Sequence, residues 1–171
     1  MKPILFLISI LFCCQTTKVH GQDYQVPKNY VLKQKDDYPK YEQDVLKTID
    51  WLEQTSWNDQ IQKREEAKTF IIKWIEGSPD ISIEVNSEII KLSKNNPELL
   101  GSYMYGYTKY AILNKSQFDL IKAKIEGIKA LLSKYKFETA HKKNSEVEKL
   151  IKLDAEGKLE NWVATDFAQS K

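Results

Sequence analysis

Arginine appears once in the 171-residue chain, as Arg64, and cysteine twice, as Cys13 and Cys14. With lysine supplying every other basic residue, the chain lacks the guanidinium forks that bidentate carboxylate or phosphate recognition uses, so its positive charge reads as surface solvation. Six glycines leave little material for a phosphate cradle, and neither Gly-x-Gly-x-x-Gly nor Gly-Lys-Ser/Thr occurs. Histidine is scarcer still, with two residues in all, which argues against most metal and histidine-based chemistry. No apolar run approaches the ~20 residues that cross a bilayer.

The longest apolar run, residues 3–14, follows Met1-Lys2 and leads into a polar stretch ending Val19-His20-Gly21. Charged, then apolar, then small is the order of a secretory signal peptide, and cleavage is expected after Gly21. Cys13 and Cys14 would suit a lipoprotein, but Leu11-Phe12 before them lack the small residue that such processing favours. Loss of residues 1–21 removes both cysteines, His20, Lys2 and Lys18, and none of the 24 acidic residues. Two of the 26 basic residues are thereby lost, and the mature chain is near neutral. Without disulfides it relies on packing; without a basic excess it is no generic nucleic-acid binder. No membrane span is expected after signal removal, and roughly 150 residues suit one domain with its own core.

Residues 22–37 are polar and hold Pro27, so they read as a polar N-terminal arm before a single helical domain at 38–168. Pro39 in a first turn, then Tyr41, Val45, Ile49 and Leu52 at helical spacing, predict a helix at about 39–55. Ser56 with Asp59 as its cap, and a stripe of Ile61, Ala67, Ile71, Trp74 and Ile75, predict a second at about 57–76. Gly77 in a left-handed conformation, with Pro79 behind it, is expected to close that helix. Ile81, Ile83 and Val85 alternate with polar residues; one lone strand makes no sheet, so extended coil held against helices by all three is expected.

A short helix is expected from Ser87 to Ser93, and Asn96-Pro97 starts another at 97–113. Tyr103, Tyr105 and Tyr107 alternate as in a strand, but the Asn-Pro start decides for helix. Gly101 and Gly106 there each cost about 1 kcal/mol relative to alanine, and are expected to admit a close neighbour. Ser116 with Asp119 opens a helix through 135, whose seam is Phe118, Ile121, Ile125, Ile128, Leu132 and Tyr135. Ser145 with Glu148 caps a further helix that Gly157 ends, and a last piece carries Leu159, Trp162, Val163 and Phe167. The sum is all-α, a compact multihelix array of five to seven helices with one short extended segment near 80–85. It lacks the period near 34 or 40 residues of a helical solenoid.

Catalytic patterns are few. His141 sits between Ala140 and Lys142 in a polar connection and reads as a surface residue, and no Gly-x-Ser-x-Gly elbow accompanies any serine. No metal or other cofactor is expected. Acids such as Glu42, Glu53, Glu65, Glu66, Glu126 and Glu148 alternate with lysine as solvated faces do, although two converging carboxylates would suffice for a glycosidase. The aromatics stand out: four tryptophans and nine tyrosines. Trp74, Tyr103 and Tyr107 fall on apolar stripes and read as core. Trp57 and Tyr105 fall off them and are the expected surface pair, with Arg64 and Lys109 as charges beside it; these four form the candidate binding set.

Tyr38-Pro39, Trp51-Leu52-Glu53, Trp74-Ile75-Glu76-Gly77-Ser78-Pro79, Asn96-Pro97-Glu98-Leu99-Leu100 and Tyr110-Ala111, with the Gly21-Gln22 junction, carry a resemblance over most of the mature chain. They resemble an uncharacterised family of small secreted helical proteins of Bacteroidetes-type bacteria. The resemblance implies export and brings no activity or catalytic residue with it. The expected function is a non-enzymatic interaction or binding module of the periplasm or cell exterior, with an unknown protein, small-molecule or glycan partner in the envelope. The alternatives are a small-molecule or glycan carrier with an aromatic-lined pocket, and a hydrolase using carboxylates alone.

Overall fold

A computed structural model of the protein describes residues 24–167. The signal segment at residues 1–21, Cys13 and Cys14, the expected cleavage site and residue 168 lie outside the described residues. Among those described the chain is all-helical, with seven α-helices and no strand. They are α1 (Glu42–Gln54), α2 (Ile61–Gly77), α3 (Ser87–Ser93), α4 (Glu98–Leu113), α5 (Leu120–Phe137), α6 (Ser145–Ala155) and α7 (Leu159–Trp162). Short 3₁₀ turns at Lys35–Tyr41 and Lys115–Gln117 lead into α1 and α5, and α7 runs on into a π turn at Val163–Phe167. None of these helices is long and apolar enough to cross a membrane.

The centre of the fold is α4. A helix buried on every side has no polar face to show, and α4 carries one acid, Glu98, and one base, Lys109, in sixteen residues. Tyr103 and Leu99 enter a core with Ile89, Ile128, Leu132, Val147 and Phe167, drawn from α3, α5, α6 and the C-terminal turn. Tyr105 and Ile112 enter a second core with Ile49, Leu52, Phe70, Ile71 and Trp74, drawn from α1 and α2. The alternation of tyrosines that looked strand-like thus distributes rings between two cores.

Two glycines set how closely helices approach. A Cβ on Gly106 would lie 2.5 Å from the Glu126 carbonyl oxygen and 2.6 Å from the Ala130 Cβ, so α5 rests directly on the α4 backbone, as expected for a glycine inside a helix. Gly77 ends α2 where expected, but not by a left-handed turn: Gly157 is the one glycine with positive φ among the described residues. What Gly77 provides is room, since a Cβ there would stand 1.8 Å from the Tyr38 hydroxyl.

Several helix starts differ from expectation because distant partners compete for the capping groups. Ser56 does not cap α2. Its hydroxyl donates to Glu138 Oε2 at 2.9 Å and the Trp57 N–H to Glu138 Oε1 at 3.0 Å, and α2 begins only after Gln60, at φ 48°. Asn144, not Ser145, caps α6, accepting from the Glu146 and Val147 N–H groups. Its amide also donates to the Lys91 and Leu92 carbonyls at the end of α3, which a serine cannot do while capping. Asp119 caps α5, placing Phe118 outside the helix.

The segment before α1 is polar in composition, yet its apolar residues pack against the second core. Tyr24 stacks on Trp51 at 4.9 Å and donates to Thr48, and Tyr30 meets Phe70 edge-on at 4.9 Å. In the linker after α2 there is no strand; Ile81 and Ile83 pack inward, whereas Val85, expected to do the same, is exposed.

Candidate functional site

The four residues proposed from sequence do not form one surface patch. Arg64 and Tyr105, expected at a surface, are buried, with 4 % and 5 % exposure. Trp57 lies half-buried in the turn after α1, packed against the first core. Lys109 lines a groove.

Arg64 has a structural duty. The last carbonyls of a helix carry partial negative charge and lack intrahelical partners, and α1 has no basic residue in its own last turn. Arg64 from α2 donates to the Leu52 and Thr55 carbonyls at 3.1 and 2.8 Å. Lys134 from α5 reaches the Leu52, Glu53 and Thr55 carbonyls at 3.3, 3.2 and 2.7 Å. Glu138 balances Lys134 at 2.7 Å, and Glu98 faces Arg64 at 3.6 Å. Burial lowers the Lys134 pKa, against the pull of Glu138. Tyr105 lies over Gly101, and burial, with Glu98 adding to it, pushes its hydroxyl far above the usual tyrosine range.

Lys109 lines a groove of about 420 Å³ with Glu53, Glu126, Lys129 and Ser133, and pairs with Asp50 in an adjoining one of about 310 Å³ that Glu53 and Ser133 also line. Glu53 Oε1 is buried and has no hydrogen-bond partner among the described residues. Burial raises the Glu53 pKa, Asp50 adds to the rise, and Lys109 and Lys134 oppose it.

The site that sequence reasoning missed is a cleft of about 260 Å³ where the 3₁₀ turn before α1, the end of α2, the linker after it and the α4–α5 turn converge. Its floor comes from Tyr38 and Trp74, at 8 % and 1 % exposure, with Ala111 and Ile112. Trp74 Nε1–H donates to the Tyr38 carbonyl at 2.9 Å, and Tyr38 occupies the space that Gly77 leaves free. The wall is Phe118, 45 % exposed, its ring 6.2 Å from Tyr107 and 6.1 Å from Tyr110. Ser78, Ile81, Pro39 and three charged residues complete it. Glu42 and Lys115 form an ion pair, while Asp80 makes no hydrogen bond or ion pair among the described residues.

Tyr38 and Trp74 read from sequence as helix-entry and core residues, and Phe118 as the first residue of the α5 seam. The available signal was Phe118 itself, which stands one residue ahead of the Asp119 cap. The cleft combines a preformed apolar floor with a few polar groups at the rim. No protein-family model, curated protein or solved structure matches the chain.

Proposed function

We propose that the chain is an exported, non-enzymatic binding protein of the periplasm or cell exterior, and that the cleft floored by Tyr38 and Trp74 receives a small ligand. The observation that carries this reading is the cleft's construction: Gly77 admits Tyr38, the Trp74 indole fixes it, and Asp119 sets the backbone beside Phe118. A volume near 260 Å³ lies just under the ~300–1,000 Å³ of drug-sized sites, which suits a compact ligand. A glycan is less well served, because sugar stacking uses an open ring face and the two floor rings are almost covered. Export rests on the signal-like residues 1–21 and on the family resemblance.

A thermal-shift screen of small amphipathic compounds on the wild type and on Ala111→Phe, which fills the cleft, tests the reading. Compounds that stabilise the wild type and lose their effect on a folded Ala111→Phe support it; hits that act equally on both overturn it. Export is tested by N-terminal sequencing of protein secreted by a bacterial host, where a start at Gln22 is expected and an intact Met1 contradicts the assignment.

One observation favours a second reading, hydrolysis by carboxylates alone. Burial raises the pKa of Glu53, which lines the same groove as Asp50, itself paired with Lys109, and a carboxyl held towards its protonated form suits a general-acid role. Turnover of chromogenic glycosides that disappears in Glu53→Gln is the expected result on this reading; turnover unaffected by that substitution, or none across α and β anomers, removes it.

A further inference from the structure

We infer that the cleft selects a small organic cation, an amine or quaternary ammonium on an apolar body; this inference rests on the cleft being the ligand site. Of the three aromatic residues in its lining, Tyr38 and Trp74 are almost covered, and Phe118 presents an open ring. Aromatic faces carry negative potential and attract cations, most strongly where water is excluded. The charged residues of the rim act in the same direction. Glu42 and Lys115 satisfy one another in an ion pair, so the remaining charge is the Asp80 carboxylate, which has no partner among the described residues. A cation therefore finds a carboxylate and the open Phe118 ring without breaking any existing pair.

The other ligand classes fit less well. An anion would have to take Lys115 away from Glu42, leaving that carboxylate uncompensated beside it and Asp80 opposed. A neutral apolar ligand gains the floor and the Phe118 wall but leaves Asp80 with water alone. Asp80 is exposed, so its contribution is that of a solvated ion pair, at most about fivefold in affinity, with a further few-fold from the Phe118 ring.

Calorimetric titration of the purified chain with three probes of one shape separates the possibilities: 2-phenylethylamine, protonated at pH 7, 2-phenylethanol and 3-phenylpropionate. The amine is expected to bind about three- to tenfold more tightly than the alcohol, and the propionate most weakly. Asp80→Asn is expected to weaken the amine about three- to fivefold and leave the alcohol unchanged. Lys115→Met, which releases Glu42, is expected to tighten the amine. Equal binding of amine and alcohol, insensitive to Asp80→Asn, overturns the cation inference while leaving the cleft as a ligand site. Preference for the propionate overturns it as well. Failure of all three probes, with Ala111→Phe behaving as the wild type, removes both the inference and the reading beneath it.

Discussion

Gly106→Ala places a single methyl group between α4 and α5. Its carbon would lie 2.5 Å from the Glu126 carbonyl oxygen, 2.6 Å from the Ala130 Cβ and 3.1 Å from the Glu126 carbonyl carbon. Ordinary carbon contacts are about 3.5–4.0 Å, so the helices must separate by roughly 1 Å. No rotamer change relieves the clash, because the nearest obstacle is backbone. Overpacking of this kind costs about 1–3 kcal/mol, with the rigid obstacle pointing to the upper end, while the better helix propensity of alanine returns about 1 kcal/mol. A net loss of about 2 kcal/mol is expected, or about 4–8 °C in Tm for a domain of this size. Urea denaturation followed by far-UV circular dichroism measures it. Gly101→Ala is the control, with the same gain in propensity but only the hydroxyl end of Tyr105, at 3.1 Å, in the way. It should be at least about 1 kcal/mol more stable than Gly106→Ala. If Gly106→Ala instead matches the control or exceeds the wild type, α5 does not rest on the α4 backbone.

Three further outcomes follow from the buried polar groups. Arg64→Ala removes two hydrogen bonds from a charged donor, each worth about 1.5–3 kcal/mol, but Lys134 shares both acceptors; a loss of about 2–3 kcal/mol in chemical denaturation is expected, with ligand binding at the cleft unchanged. Loss of binding by a folded Arg64→Ala would return this residue to the site. Asn144→Asp keeps the α6 cap but turns the donors facing the Lys91 and Leu92 carbonyls into acceptors, so a loss of about 2 kcal/mol at pH 7 is expected despite the better match to the helix dipole; equal stability would show that the bridge to α3 contributes nothing. For Glu53 the folded-state pKa is raised, so the folded protein binds more protons than the unfolded chain just above the usual glutamate range, and stability falls as pH rises through that window. Glu53→Gln should therefore be favourable at pH 7.5 relative to its effect near pH 4, and a pH-independent effect would contradict the assignment.

Local periodicity in the sequence reveals most of the helices. Ser87 to Ser93 is read with the bounds observed, Asn96-Pro97 places the start of α4 within a residue, and Gly157 follows the end of α6 as expected. What stays hidden depends on partners far along the chain. Ser56 looks like a cap for α2 because Asp59 lies three residues on, but Glu138 takes both its hydroxyl and the next N–H. Ser145 loses the cap of α6 to Asn144 because only an amide also reaches α3. Arg64 reads as a surface cation because nothing local shows that the end of α1 needs one. Tyr105 reads as exposed because a stripe analysis assumes one buried face, whereas α4 lies between two cores. The cleft joins residues from 38 to 118, and each of its aromatics had a sufficient local explanation of its own.

The most direct test of the cleft as the ligand site is an NMR titration of the labelled protein with 2-phenylethylamine, read at the backbone amides and at the Trp74 indole N–H that donates to Tyr38. The expected result is a saturable set of shifts at Tyr38, Trp74, Ala111, Ile112, Lys115 and Phe118 that Ala111→Phe abolishes. Saturable shifts confined to other residues, such as Asp50, Glu53 and Lys109, would contradict it.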